Sequence, residues 1–165
     1  MEQDQREFHA LPQPGELSER EKEDAMGAYL MMFASLAIGL PLPILNLVAA
    51  IIYYYINRSK GRFVQFHTLQ SLISQIPVTL INAFGVFWTI KIFVFDGLLN
   101  DSYKGYLVML GIANILYITY SIIGAVKARK GQMYYFWFFG QSAYMSAFKI
   151  REEKKKEFRN EPPKL

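Results

Sequence analysis

The stretch Phe63-Val64-Gln65-Phe66-His67-Thr68-Leu69-Gln70-Ser71 gives the most information about the fold of this chain. It follows a basic loop, residues 57–62, and continues directly into an apolar run of membrane length. A polar side chain at the mouth of a lipid-buried helix needs a partner inside the protein or in a water-filled cavity. The stretch therefore predicts a helix-bundle membrane protein, with His67 and Gln70 as its most informative polar residues.

The composition fits one apolar domain between two charged ends. The chain has 165 residues, which predicts a single domain, and 52% of them are hydrophobic. The mean hydropathy is +0.11 in spite of the charged termini, so the apolar residues are concentrated between about residues 25 and 148. Because the chain has no cysteine, disulfides, thiolate metal sites and cysteine nucleophiles are excluded.

The net charge of +4 comes from separated blocks of acids and bases. Residues 1–24 carry eight acids and three bases, whereas residues 149–165 carry seven bases and four acids. A basic chain suggests nucleic acid as a partner when it is a soluble protein. Here the bases flank apolar spans, so the positive-inside rule explains them better, and we expect no nucleic-acid partner.

Residues 25–56 are almost uncharged and allow two interpretations. As one helix they would be about 48 Å long, against a hydrocarbon core of about 30 Å. The run Gly39-Leu40-Pro41-Leu42-Pro43 interrupts them, and proline removes a backbone donor and disfavours helix before it. The segment is either one kinked span or a hairpin of two short helices. The hairpin is favoured because it leaves the acidic N-terminus on its starting side.

Two longer apolar spans and one short segment follow. The spans run over about residues 69–95 and 106–126, and residues 133–148 are dense in aromatic side chains. Aromatic residues of this density are typical of the headgroup level, so the last segment either crosses the membrane or lies at its surface. We therefore predict an all-α integral membrane protein, a compact bundle of about four membrane helices.

The predicted domain organisation has three parts. Residues 1–17 form a disordered N-terminal tail, residues 18–148 the helical membrane domain and residues 149–165 a basic cytoplasmic tail. Ser18 and Glu21 match a capping box, which predicts that the first helix starts there.

The distribution of bases predicts the orientation. The loops at residues 57–62 and 127–130 carry three bases each, and the loop at residues 96–105 carries one. The positive-inside rule places both basic loops and the C-terminus in the cytoplasm and the loop at residues 96–105 outside. The hairpin interpretation leaves the N-terminus in the cytoplasm as well. The bases predicted to contact anionic lipid headgroups or a partner are Arg58, Lys60, Arg62, Lys127, Arg129, Lys130, Lys154, Lys155 and Lys156.

Polar and small residues recur at helical spacing in three apolar segments, so these faces should meet one another rather than lipid. They are interpreted either as helix-packing contacts, in which buried amides bond across the interface, or as a polar groove. The candidate residues are Asn46, Asn57, Phe66, His67, Gln70, Ser71, Ser74, Gln75, Asn82, Asn114 and Ser121. Asn57 and Asn114 are the expected partners of His67 and Gln70.

The sequence lacks the patterns of a catalytic or metal centre. No Asp or Glu lies inside an apolar span, and no nucleophile–base pair, HExxH motif or phosphate loop is present. The second histidine, His9, lies in the predicted tail. We therefore expect no catalytic residues, no metal and no cofactor, and a protein that is not an enzyme.

Two motifs resemble the Tic-twenty-like membrane protein family, which includes the chloroplast inner-envelope import component and small bacterial proteins. The first covers residues 62–71, where Phe66, His67, Gln70 and Ser71 occupy the family's characteristic positions. The second starts at residues 120–125 and continues through Gly131 to residues 143–144. The resemblance covers about residues 20–148, and the histidine and the short first hairpin are closer to the bacterial branch.

The resemblance implies a multi-pass four-helix bundle of the bacterial inner membrane with both termini in the cytoplasm. It also implies a non-enzymatic subunit of a protein translocation or membrane-biogenesis complex. Its partners would be the bilayer, anionic lipid headgroups and other membrane protein subunits. The alternative function is a small oligomeric channel or solute carrier.

Overall fold

The computed structural model describes residues 8–37, 39, 42–95 and 97–150. Over these residues the chain is all-helical, with five helices of twelve or more residues, so the predicted all-α class is confirmed. The number of helices inside a membrane stays a prediction. In chain order the elements are α1 (Glu19–Leu30), a 3-10 turn (Met31–Phe33), α2 (Ala34–Ala37), α3 (Pro43–Asn57), α4 (Arg62–Val94), α5 (Asp101–Arg129) and α6 (Trp137–Phe148).

Local sequence determines several helix ends. The predicted capping box is confirmed: Glu21 N donates to Ser18 Oγ at 3.2 Å, and Ser18 N donates to Glu21 Oε2 at 3.0 Å. The Asn100 side chain caps α5 by accepting from Tyr103 N at 2.9 Å. After α5 the backbone turns at Gly131, whose φ of 70° is a left-handed conformation that favours glycine.

The N-terminal helices and α3 run antiparallel. In the middle of α1, the Asp24 carbonyl accepts from the Tyr53 hydroxyl near the end of α3 at 2.9 Å. In α2, Ser35 N donates to Asn46 Oδ1 near the start of α3 at 2.7 Å. The chain therefore turns back between α2 and α3, as the hairpin interpretation predicted. Residues 38, 40 and 41 of that turn lie outside the described residues.

The two longest helices have the dimensions of membrane spans. With 33 and 29 residues, α4 and α5 are about 50 and 44 Å long, and both are apolar enough to cross a membrane. Both begin earlier than the predicted spans at residues 69–95 and 106–126. By contrast, α6 has 12 residues and a length of about 18 Å, which is too short to cross.

The core lies at one end of the long helices. One cluster joins α1, the start of α4, the end of α5 and the segment before α6: Leu17, Ala25, Tyr29, Phe63, Ala125, Ala128 and Phe136. A second joins α4 and α6: Phe66, Ala143, Ala147 and Phe148. Close approach requires glycine at position 124, where a Cβ would lie 2.9 Å from the Tyr29 ring. We name this end of the molecule the core end.

Residues 8–17 lie against the core end. The Phe8 ring stacks on Tyr144 with 5.2 Å between centroids, and His9 N donates to the Phe148 carbonyl at 2.9 Å. Leu17 is buried. The predicted N-terminal tail at residues 1–17 overlaps this segment, and its residues 1–7 lie outside the described residues. So do residues 151–165 of the predicted basic tail, including Lys154, Lys155 and Lys156, and these domain boundaries stay predictions.

Candidate functional site

The polar residues of α4 belong to two separate groups. The first lies in the core end and is centred on Tyr29, His67 and Gln70; we name it the Tyr29 network. The second lies further along α4 and borders a cavity that we name the amide pocket.

The Tyr29 network joins three parts of the chain through Gln70. Gln70 Nε2 donates to the Tyr29 hydroxyl at 2.8 Å and to the Tyr134 carbonyl at 2.9 Å. Gln70 Oε1 accepts from Phe136 N at 3.0 Å. One fully buried amide therefore holds α1, α4 and the extended segment before α6 together.

His67 completes this network and is enclosed by aromatic rings. Its Nδ1 lies 2.7 Å from the Tyr29 hydroxyl. Because that hydroxyl accepts from Gln70, we assign its proton to the bond with Nδ1, and this assignment leaves the imidazole proton on Nε2. The rings of Phe63 and Phe66 lie edge-on to the imidazole at 4.5 and 4.9 Å between centroids. His67 is thus a packed neutral side chain. Its Nε2 has no hydrogen-bond partner among the described residues.

The expected partners of His67 and Gln70 were wrong. Asn57 Nδ2 donates to the Tyr53 carbonyl within α3, and Asn114 bonds to Asn82 on α4. Tyr29 is the partner of both residues instead, because α1 packs against the start of α4 and also against α5.

The amide pocket lies where the turn between α2 and α3 meets the middle of α4 and α5. It has a volume of about 220 Å³. It is lined by Met32, Phe33, Ser35, Pro43, Asn46, Gln75, Val78, Thr79, Asn82, Asn114, Tyr117 and Ile118. The lining is neutral throughout, and the predicted residues Asn46, Gln75, Asn82 and Asn114 meet there.

The amides of the pocket differ in their hydrogen bonding. Asn82 and Asn114 donate to each other's Oδ1, both at 3.0 Å, and so tie α4 to α5. Asn46 Oδ1 accepts from Ser35 N. Gln75 is 2% exposed, and its Oε1 has no hydrogen-bond partner in the described part of the chain.

The remaining predicted residues are buried at or near the core end. Phe66 packs in the second core cluster, and Ser71 Oγ donates to the Ala28 carbonyl at 2.8 Å. Ser74 Oγ donates within α4 to the Ser71 carbonyl, and Ser121 is buried on α5. Whether these residues serve packing or form a groove stays a prediction.

Four of the bases predicted to contact lipid or a partner have partners within the protein. Arg129 pairs with Glu19 at 2.6 Å and Glu23 at 3.3 Å, and Lys60 pairs with Asp24 at 2.9 Å. Arg62 Nη2 lies 3.1 Å from His9 Nε2, and Lys127 Nζ donates to Gln132 Oε1. Hydrogen bonds from Lys22 and then Arg129 hold the pKa of Glu19 below its ordinary value. The acids of α1 therefore join both basic loops at one end of the molecule.

Sequence reasoning missed Tyr29 and Thr79, whereas Tyr117 lies on the polar face predicted for the third apolar segment. A buried tyrosine places a hydroxyl in an apolar environment, where it needs a partner. The position of Tyr29 in an otherwise apolar stretch was therefore the available signal. Thr79 gave no such signal, because the residues beside it on α4 are equally compatible with a helix face that contacts lipid.

Comparison with known proteins identifies the family. The model of the magnetosome magnetite crystal formation protein family (MamF/MmsF) matches residues 22–141, which is 120 of the 165 residues. The chain therefore belongs to this family. Neither the curated proteins nor the solved structures gave a match.

The family corrects three predictions. The Tic-twenty-like resemblance was wrong, and with it the role in protein translocation and the alternative of a channel or carrier. The motif residues Phe66, His67, Gln70 and Ser71 pack α4 against α1 and α6. Contacts of this kind between helices are common to unrelated membrane bundles, so the motif positions do not identify a family.

Proposed function

We propose that this protein acts in magnetite crystal formation as a non-enzymatic protein embedded in the magnetosome membrane. The family match over residues 22–141 carries this proposal. That range includes most of α1, all of α3, α4 and α5, and the beginning of α6. The function thus belongs to the helical bundle as a whole.

The exposed apolar surface supports the membrane placement. Beyond the core end, α4 and α5 present large aliphatic and aromatic side chains outward; Leu80 is 65% exposed and Phe93 is 69% exposed. Soluble monomers rarely expose contiguous apolar surface of this extent. Lipid tails are the environment in which such a surface is stable. In this placement α4 and α5 cross the bilayer and α3 enters it partway.

The ion-paired end of the bundle supports an orientation. The basic loops before α4 and after α5 lie at the core end, and the loop between α4 and α5 lies at the opposite end. By the positive-inside rule the core end is cytoplasmic, close to anionic headgroups. The α4–α5 loop, which leads into the exposed Asp101, then faces the compartment in which the crystal grows.

Single cysteines test this placement cleanly because the chain has none. Ser59→Cys lies in the basic loop and Ser102→Cys near the start of α5, and both side chains are exposed. In isolated magnetosome vesicles, a membrane-impermeant maleimide should label Ser59→Cys at once and Ser102→Cys only after detergent is added. Equal labelling of the two variants before detergent is added would contradict the proposal that α4 and α5 span the membrane.

Crystal measurements test the function itself. In magnetosome-forming cells that lack this gene, electron microscopy should show altered crystal size or number, and the intact gene should restore them. A control gene with stop codons after residue 61 keeps the N-terminal hairpin but removes α4 and α5, and should not restore them. Unchanged crystals in the deletion strain would overturn the proposed function.

A further inference from the structure

The chain that follows α5 descends along the bundle and then returns. Gly131 lies at the core end, against the residues that precede α1. Residues 136–139 lie further along the bundle, where they line a cavity together with Ser74 of α4. The chain then returns as α6, and Phe148 at the end of α6 packs in the second core cluster. We name residues 131–148 the aromatic hairpin.

The turn of the aromatic hairpin lies well below the basic loops. The α4 residues beside it, Ser74 and Val78, are 12 and 16 residues past Arg62, or about 18–24 Å along the helix. At this turn Trp137 is 89% exposed and Phe138 is 78% exposed. This depth rests on the membrane placement given under the proposed function, in which Arg62 lies close to the cytoplasmic headgroups. Both rings then reach the acyl chains of the cytoplasmic leaflet.

The descending arm of the aromatic hairpin is not helical, and inside a membrane such backbone needs partners within the protein. The Tyr134 carbonyl accepts from Gln70 Nε2, and Phe136 N donates to Gln70 Oε1. The Phe136 carbonyl accepts from Gly140 N in the first turn of α6. The fully buried Gln70 thus gives the extended arm bonds that a neighbouring strand would give it in a sheet.

The start of α6 borders polar side chains as well as apolar ones. The first N–H groups of a helix have no partners within it. The first turn of α6 lines a cavity of about 220 Å³, whose lining also includes the hydroxyl-bearing residues Ser74, Tyr117 and Tyr120. The polar groups of this turn therefore border on side-chain hydroxyls and not on lipid alone.

The distribution of charge selects lipid as the partner of the aromatic hairpin. Lys130 directly precedes the hairpin and Lys149 directly follows it, and both are exposed. Residues 131–148 between them contain no charged side chain. Bases at both ends complement anionic headgroups, whereas an uncharged aromatic turn complements the acyl chains beneath them.

We propose that the aromatic hairpin enters the membrane from the cytoplasmic side and returns to that side, with Trp137 and Phe138 among lipid acyl chains. Residues 132–136 span at most about 18 Å when extended, and α6 is about 18 Å long, so neither arm crosses the bilayer. The segment is therefore neither a full crossing nor a helix that lies flat on the surface. It anchors the cytoplasmic end of the bundle in one leaflet.

Tryptophan fluorescence tests this proposal, because the chain has two tryptophans, Trp88 and Trp137. In Trp88→Phe, Trp137 is the remaining fluorophore. In liposomes that contain anionic lipid, it should lose most of its emission to lipids brominated at the middle of their acyl chains and almost none to aqueous iodide. The matched control changes both tryptophans to Phe and adds Leu80→Trp, an exposed position of α4 at a similar depth. Its emission should respond in the same way.

The possible results separate this proposal from the membrane placement. If mid-chain bromines quench Leu80→Trp but not Trp137, the aromatic hairpin does not enter the acyl chains and the membrane placement stands. Stronger quenching of Trp137 by bromines beside the headgroups would place the segment flat on the surface and would also overturn the proposal.

Two further results would contradict the proposal. Protection of Trp137 from both iodide and bromines would show that protein covers it, such as a second copy of the chain. Quenching of both tryptophan positions by iodide alone would overturn the hairpin and the membrane placement together. Gel-filtration profiles that match the parent protein establish that each variant is folded.

Discussion

The two halves of α4 are built for different surroundings. From Arg62 to Gln75 the helix packs against α1, α3 and α6, and most of its side chains are buried. Beyond Gln75 its main partner along most of its length is α5, and Thr79, Gly85 and Ile92 are the buried positions. The first half resembles the core of a globular protein, whereas the second exposes an apolar outer face, which lipid would cover in the proposed membrane placement. In the proposed placement, one continuous helix thus joins a folded core end to the pair of membrane-spanning helices α4 and α5.

Their polar groups differ in the same way. Gln70 in the first half makes three hydrogen bonds to three other residues, so its removal leaves several buried groups unpaired. The Asn82–Asn114 pair in the second half joins two helices only. Substitutions of polar residues should therefore destabilise the protein more in the core end than between the second half of α4 and α5.

The largest effect is expected for Gln70→Leu. This change leaves Phe136 N–H and the Tyr134 carbonyl buried without partners, at a cost of about 2–4 kcal/mol in unfolding free energy. Chemical denaturation in detergent measures it. Thr119→Val is the matched control, because the exposed Thr119 bonds only to the carbonyl one turn earlier in α5. If Gln70→Leu cost no more than this control, the network would not stabilise the core end.

The next effect is expected for Tyr29→Phe, which removes one hydroxyl and keeps the ring. The loss should be about 1–2 kcal/mol, because His67 and Gln70 each lose one bond. Combined with Gln70→Leu, it should cost less than the sum of the two changes, since both remove the same bond. Additive losses in this double-mutant cycle would show that the two residues act separately.

A smaller effect is expected for the asparagine pair. Asn82→Ala and Asn114→Ala should each cost about 0.6–1.7 kcal/mol, the range for hydrogen bonds between membrane helices. The double variant should cost little more than either single variant, as judged by thermal unfolding in detergent. A loss as large as that of Gln70→Leu would remove the proposed difference between the two halves.

The smallest effect concerns the pH dependence of Glu19. Its folded pKa lies below the ordinary value of 4.5, because Lys22 and Arg129 bond to the carboxylate. The stabilisation is therefore complete above that value and is lost as the pH falls through the folded pKa. The effect is small because the carboxylate is exposed. The melting temperature of Glu19→Gln should therefore fall slightly less than that of the parent protein as the pH is lowered. An identical pH dependence of the melting temperature in both proteins would exclude a contribution from Glu19 and its basic partners.

The sequence predicted the local features of the fold. The Ser18 capping box and the turn-back before Pro43 depend on residues within one or two turns, and the structure has both. The two long apolar helices follow from hydropathy in the same way. The length of the final helix was not predicted, because the aromatic residues of the segment before α6 pack without forming helix.

The sequence identified polar residues of the candidate site but not the hydrogen bonds between them. His67, Gln70, Asn82 and Asn114 were identified because polar groups inside apolar segments need partners. Their grouping into a network and a pocket depended on which helix lies beside which. Short motifs also could not identify the family, since the residues that carried the resemblance make helix contacts that unrelated bundles share.

The sequence by itself determined where the helices form, which side chains are polar within them and how charge is divided between the ends. Those properties arise from backbone propensity, capping and hydropathy, which act over a few residues. Only the tertiary structure decided that Tyr29 meets His67 and Gln70, 38 and 41 residues away, and that four amides surround one cavity. The physical reason is that such contacts depend on how whole helices cross, and a turn between α2 and α3 brings α1 onto the start of α4.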